Sequence, residues 1–311
     1  MKAPASCKRV LKLMGNRFEF TVLADDEKQG QNAIALAVKE VMRIEELLST
    51  FKDTSETNQI NQNAGLFPIK VSRETIDLIE RSNKISEVTQ GAFDITYGSL
   101  DKSLWNFDVN MTALPDPKLA FKSVHLINYK NVIVDKEEST VMLRNPGMRI
   151  GFGGIGKGYA ADMARNVLQT EGIKSGIVNA AGDLITWGKQ FNEKPWTVGI
   201  ADPNQKTQPF SALNISDMAI ATSGNYEKFA NINGKKYSHT IDPKTGMPVH
   251  GIKSVSVICP SAELADALAT PVTVMGKEVG LNLINQLKNV ACIIIDEHDN
   301  LHTSNNIHLK N

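Results

Sequence analysis

The stretch Arg149-Ile150-Gly151-Phe152-Gly153-Gly154-Ile155-Gly156-Lys157-Gly158-Tyr159-Ala160-Ala161-Asp162 constrains this chain most. Five glycines and one lysine stand there between strand-like runs and a helix-like run. Val141-Met142-Leu143 and Met148-Arg149-Ile150 are extended apolar segments, and from Tyr159 to Leu168 the residues Tyr159, Met163 and Val167 recur at helical spacing. A glycine-rich turn opening a helix presents backbone N–H groups at the positive end of the helix dipole, and glycine lets a ligand approach that backbone closely. Such a turn is an anion cradle suited to phosphates. The competing reading is a tight structural turn with a solvated lysine, and the glycines alone do not choose between the two.

Two familiar patterns match in part. Gly151, Gly153 and Gly156 have the spacing of the dinucleotide fingerprint, but the next strand, Gly176 to Val178, ends at Asn179 where that fingerprint needs an acidic residue. Gly151 to Lys157 spells most of a P-loop, yet Gly158 stands where a Ser or Thr supplies the Mg²⁺-binding hydroxyl. A metal at this loop needs oxygen from elsewhere.

The run from Ala262 to Thr270 is an alanine-rich helix with Ser261 as its N-cap, and it offers such oxygen. Asp266 and Thr270 are four apart and share one face, and hard cations take carboxylate, hydroxyl and carbonyl oxygens. An Asp and a Thr on a helix are more often solvated or locally hydrogen-bonded than metal-bound. Here, however, a carboxylate among Leu264, Leu268 and Val272 needs a partner. Pro271 withholds an N–H from the Ala267 carbonyl, which predicts a kink or a freed carbonyl nearby. Of six histidines, His239 stands beside the turn Asp242-Pro243-Lys244-Thr245-Gly246. It is a candidate general base or phosphate contact, and equally a residue that holds its loop.

Along the rest of the chain, Arg17 to Leu23 alternates as a strand and Asn32 to Leu48 carries a helical apolar stripe. Ser72 caps a helix running to about Val88. Strands and turns are expected from Val124 to Leu143, and a pair of strands at Gly176 to Ala180 and Leu184 to Gly188. Further strands are expected at Thr197 to Ile200, Met218 to Thr222, Val255 to Cys259 and Val290 to Asp296, with a helix from Val279 to Leu287. Strands and helices mix without strict βαβ repetition, so the class is α+β. The 311 residues suffice for one large domain or two intertwined lobes, residues 14–311, with 1–13 as an N-terminal extension.

With 34 basic and 34 acidic residues the formal charge is zero, and no basic run points to nucleic acid. No run of roughly 18 apolar residues could form a spanning helix. Cys259 and Cys292 lie in apolar runs and read as core thiols. Cys7 after Ala5-Ser6 is similar to a lipid-attachment site, but Pro4 fits poorly, and an ordinary free cysteine is expected.

These segments together resemble the ApbE family of FAD:protein FMN transferases, from about Met14 to Gly276. The motifs in family order are Met14-Gly15, Ser49-Thr50-Phe51 with Asp53-Thr54-Ser55-Glu56, Gly91-Ala92-Phe93-Asp94, Gly153 to Tyr159 with Asp162, Asn179-Ala180-Ala181-Gly182-Asp183, Ala221-Thr222-Ser223-Gly224-Asn225-Tyr226, His239 to Pro248, and Ala265 to Thr270. The resemblance implies a T-fold-like mixed sheet and helix arrangement with a central FAD cleft and Mg²⁺. It implies cleavage of FAD, transfer of FMN to a Thr or Ser hydroxyl of an acceptor flavoprotein, and release of AMP. The alternatives are a Mg²⁺-dependent FAD pyrophosphatase and a flavin-binding protein without turnover.

By the same resemblance Asp266, Thr270 and the Gly154 carbonyl hold the metal, and Lys157 lies near the phosphates. Met14, Phe51, Ala92, Phe93, Asp94 and Gly151 line the FAD site, and His239 is the base. Three positions depart from the family pattern. Gly151 replaces an Asp, Ala181 replaces the first Gly of Asn-x-Gly-Gly-Asp, and Phe51 stands where Tyr is frequent. Family members are commonly exported and lipid-anchored, so an extracytoplasmic location behind a missing leader is expected, a cytoplasmic one being the alternative.

Overall fold

A computed structural model describes residues 5–104, 113–202, 205–224, 229–232 and 235–307. Asn225 and Tyr226, named in one motif above, lie outside the described residues. In chain order the elements are β1 (Ala5–Leu13), β2 (Asn16–Ala24), α1 (Glu27–Leu48), α2 (Glu56–Gln62), β3 (Ile69–Lys70), α3 (Arg73–Val88), α4 (Pro117–Ser123), β4 (Val132–Asp135), β5 (Thr140–Leu143) and α5 (Gly156–Thr170). There follow β6 (Ser175–Ala180), β7 (Asp183–Trp187), β8 (Trp196–Asp202), β9 (Gln205–Ile215), β10 (Ala219–Gly224), β11 (Phe229–Ile232), β12 (Lys235–Ser238), β13 (Ile252–Cys259), α6 (Ala262–Met275), α7 (Lys277–Gln286), β14 (Ala291–Asp296) and β15 (Leu301–Thr303).

Eight strands form one antiparallel sheet in the order β1-β2-β6-β7-β10-β13-β14-β15. The period-2 pattern of β2 puts Phe18, Phe20 and Val22 on the core face, all fully buried. Helices cover that face in sequence: α1 packs on β1 and β2, α5 on β6 and β7, α6 on β10 and β13, and α7 on β14. On the other face Leu184, Ile220, Ile258 and Ile293 cluster with Val198 of β8. The central strands are therefore buried on both faces, which is why β13 is buried at nearly every position and β14 reads as a nearly continuous apolar run. The main core also takes in α3 and the small sheet β3-β5-β4.

Two tight hairpins set one end of the sheet. Leu13 pairs with Asn16 across Met14 (φ 50°) and Gly15 (φ 73°), and Ala180 pairs with Asp183 across Ala181 (φ 58°) and Gly182 (φ 102°). Two positive φ values per turn match the right-handed twist of the flanking strands. The register Phe18 to Ala180 puts both turns at the same end, where β10 also finishes at Gly224 opposite Ser254.

Within the stretch read as an N-terminal extension, residues from Ala5 onward form the edge strand β1, zipped to β2 along its full length. Cys7 faces inward at 2% exposure, because the apolar positions of β1 are sparse but still alternate. Helix α1 starts earlier than its apolar stripe, at Glu27, because the Asp26 carboxylate accepts from Gln29 N–H and caps it. Pro271 does not end the helix, and having no N–H it leaves the Ala267 carbonyl without that intrahelical partner. The proline sits in the last turns of α6, which continues to Met275. Burial pushes the Cys259 and Cys292 thiols up to about 12, which makes them inert core residues.

Candidate active site

The glycine-rich loop is held by residues far away in sequence. Asn61 brackets Ile150, accepting from its N–H at 2.7 Å and donating to its carbonyl at 2.9 Å. The Ser99 hydroxyl accepts from Arg149 N–H at 2.8 Å and donates to the Arg149 carbonyl at 3.0 Å. Gly151 N–H then donates to the Ile95 carbonyl at 2.9 Å. Three consecutive residues are thus clamped before the chain turns into α5.

The turn enters α5 with no side-chain cap of its own, since Ile155 holds the N-cap position. The cap comes from α6: Asp266 Oδ2 accepts from Gly158 N–H at 3.0 Å. In return Asp162 of α5 accepts from Ser261 Oγ at 2.8 Å and from Glu263 N–H at 3.0 Å at the start of α6. The two helices cap each other. A Cβ at Gly158 would lie 2.1 Å from the Ala262 carbonyl oxygen. The glycine that spoils the P-loop pattern is therefore required by the α5–α6 contact.

Lys157 reaches into this junction, its side chain only 24% exposed. Its Nζ lies 2.9 Å from Asp183 Oδ2, 3.4 Å from each Asp266 oxygen and 3.4 Å from the Gly153 carbonyl. Burial disfavours the ammonium, but the Asp266 and Asp183 carboxylates outweigh it and hold Lys157 above its ordinary range. Asp183 is pushed up to about 7, first by burial and then by the Asp266 charge, against the pull of Lys157. Two carboxylates here share one ammonium.

Beside this cluster opens a cavity of about 740 Å³ at the hairpin end of the sheet. It gathers Met14, Phe51, Ala92, Phe93, Asp94, Gly151, Gly154, Lys157, His239 and Thr270 from six separate segments. Asp266 lies behind Lys157 rather than in the cavity wall. Met14 holds its positive φ by donating its N–H to Glu45 Oε2 at 2.9 Å. Phe51 is 94% exposed at the cavity, a large aromatic face packed against almost nothing. Phe93 and Ala92 are buried wall residues.

Asp94, also in the cavity lining, is braced from inside the protein. Its Oδ1 accepts from Thr96 N–H and Oγ1, and its Oδ2 accepts from Tyr129 N–H, so both oxygens are used inside the protein. Burial nevertheless pushes its carboxyl up. His239 is exposed at the cavity on a loop closed by the Asp242–Gly246 turn. That turn is rigid: Gly246 N–H meets the Asp242 carbonyl at 2.8 Å, and Gly246 has φ 72° with no room for a Cβ, which would lie 2.0 Å from the Ala120 carbonyl oxygen.

The donor chemistry fits a hard divalent cation. Asp266 and Thr270 are one turn apart on α6, with Thr270 in the cavity wall. Two buried carboxylates against one ammonium leave uncompensated negative charge, which oxygen-seeking cations complement. Among the described residues no three His, Cys, Asp or Glu side chains converge on one point. The set is a mixed one of carboxylate, hydroxyl and carbonyl oxygens.

Residues 14–294 match the profile of the ApbE family. The chain belongs to the ApbE family. A Klebsiella pneumoniae protein named FAD:protein FMN transferase is 31% identical over 309 residues, covering 97% of this chain and 88% of its own length. A Treponema pallidum protein of the same name is 32% identical over 266 residues, covering 81% and 73%. The crystal structure of the ApbE protein of Thermotoga maritima superposes with a TM-score of 0.84 at 29% identity over 97% of both chains. The flavin transferase ApbE of Vibrio cholerae superposes with 0.80 at 26% identity over 96% of this chain and 97% of its own. The α+β, ApbE-type fold expected from the motifs is therefore the one observed.

Against the ApbE motifs, sequence reading missed the residues that position the loop. Asn61 and Ser99 sit in polar stretches without periodicity, and their link to residues 149 and 150 exists only in the folded chain. Asp183 was visible as the end of a motif, but a residue after a turn reads as turn chemistry until the hairpin delivers it to Lys157.

Proposed function

We propose that this protein is an FAD:protein FMN transferase that works with a divalent cation and moves FMN from FAD onto a Thr or Ser hydroxyl of an acceptor flavoprotein. The observation that carries this reading is the cavity itself. One space of about 740 Å³ joins an exposed aromatic face, a clamped glycine turn, Lys157 with Asp266 behind it, Thr270 of α6 and a histidine at the rim. That volume suits a cofactor-sized ligand, and the relatives named above supply the reaction class.

Phe51 offers the flavin ring a stacking face. Residues 92–94 and Met14 form the adjoining wall, with Asp94 bracing the segment through Thr96 and Tyr129. The loop Gly151–Gly154 lets the pyrophosphate approach backbone closely. Asp266, Thr270 and the Gly154 carbonyl would hold Mg²⁺, which supplies charge neutralisation on the pyrophosphate. His239 takes the proton from the acceptor hydroxyl. Its oxygen then forms the bond to the FMN phosphorus as the bond to the AMP oxygen breaks.

The test is incubation with FAD and Mg²⁺, with and without an acceptor domain carrying a Thr. Flavin fluorescence on the denatured acceptor together with AMP is the expected result. Free FMN plus AMP regardless of acceptor would replace transfer by hydrolysis, and unchanged FAD would leave only binding.

A further inference from the structure

We propose that Asp183 is a positioning residue that draws the Lys157 ammonium away from Asp266 and so leaves the Asp266 carboxylate available to a divalent cation. This inference rests on the reading of Asp266 as a metal ligand. Lys157 lies one helical turn from the Gly153-Gly154 corner, and its Nζ touches both Asp266 oxygens and the Gly153 carbonyl at 3.4 Å. Those groups belong to, or adjoin, the oxygen set that would hold the cation. An ammonium and a divalent cation cannot both take one carboxylate without strong mutual repulsion. The shorter contact, 2.9 Å, is to Asp183 Oδ2. That oxygen is buried and makes a close ion pair rather than an aligned hydrogen bond.

Asp183 is placed for this by backbone alone. It is the first residue of β7, directly after the Ala181-Gly182 turn, and is 5% exposed. The Asp266 carboxylate is fixed independently by Gly158 N–H, so it does not follow Lys157 when the ammonium moves. Cation binding at Asp266 then depends on where Lys157 is parked, and the two neighbours of Asp266 act with opposite sign. Losing Asp183 leaves Lys157 to neutralise Asp266 and weakens the site. Losing the Lys157 charge removes the competitor and strengthens it.

The experiment is a titration of the folded, FAD-free protein with Mn²⁺, followed by loss of the free Mn²⁺ electron paramagnetic resonance signal. Thermal melting checks the fold of each variant. Asp183→Asn is expected to bind Mn²⁺ about tenfold more weakly than wild type, and Lys157→Met about tenfold more tightly, as expected for a charge lost or gained at a buried site. Asp266→Ala is expected to bind none. Should Asp183→Asn fail to fold, Lys157→Met alone decides. Equal affinities in wild type and Lys157→Met, or a change in the same direction in both variants, overturns the proposal. If Asp266→Ala still binds as wild type does, or wild type binds no Mn²⁺, the metal reading itself falls and the proposal with it.

Discussion

At the scale of single residues, the site is built from groups held in costly states. Asp183 pairs with the Lys157 ammonium as a carboxylate against the pull of burial and of the Asp266 charge, which push it up to about 7. A carboxyl whose folded pKa is raised contributes stability that is present below about pH 4 and lost as pH rises through about 7. In chelator, the wild-type melting temperature should therefore fall more steeply between pH 4 and 7 than that of Asp183→Asn; parallel profiles would contradict the assignment. Ala181 pays a different cost. At φ 58° a Cβ crowds the backbone, and Ala181 is exposed at the turn. Ala181→Gly should stabilise by about 1 kcal/mol, measured by chemical denaturation; destabilisation would mean the methyl packs usefully. His239 tests chemistry rather than folding. His239→Ala should slow transfer by about 100-fold while FAD affinity stays within about twofold, and a collapse of affinity instead would make it a binding residue.

At the scale of elements, the α5–α6 junction carries the site. Gly158→Ala drives a methyl into the Ala262 backbone and should cost at least about 1–3 kcal/mol, with loss of divalent-cation binding because α6 carries Asp266. Retained stability and binding would show that the helices can part without consequence. Local sequence rules read these elements well where the cause is local. Ser72 and Ser261 cap α3 and α6 as expected, and the stripe from Ile34 to Leu48 packs inward. They fail where the cause is remote. Ile155 as N-cap breaks the capping rule because the compensating acceptor, Asp266, arrives from another helix. Lys157 after a glycine turn pointed to a phosphate contact or to solvent, and neither reading anticipates a lysine largely enclosed by two carboxylates.

At the scale of the whole molecule, the sheet brings together segments that sequence could only place in order. The motif series was legible, and so was the α+β class. The edge strand β1 was not, since Lys8, Arg9 and Lys12 dilute its alternation and its partner is needed to show the pattern. The hairpin end of the sheet, the first turn of α5, the face of α6 and the His239 loop converge only through the antiparallel register. The account stands on that convergence: flavin against Phe51, pyrophosphate over the clamped turn, and the cation at α6. The most direct test is a crystal structure of the protein with FAD and Mn²⁺, with anomalous scattering to locate the metal. The account predicts the dinucleotide in the cavity between Phe51 and Lys157, and an anomalous peak bounded by Asp266, Thr270 and the Gly154 carbonyl. A flavin bound elsewhere, or a peak away from Asp266, would contradict it.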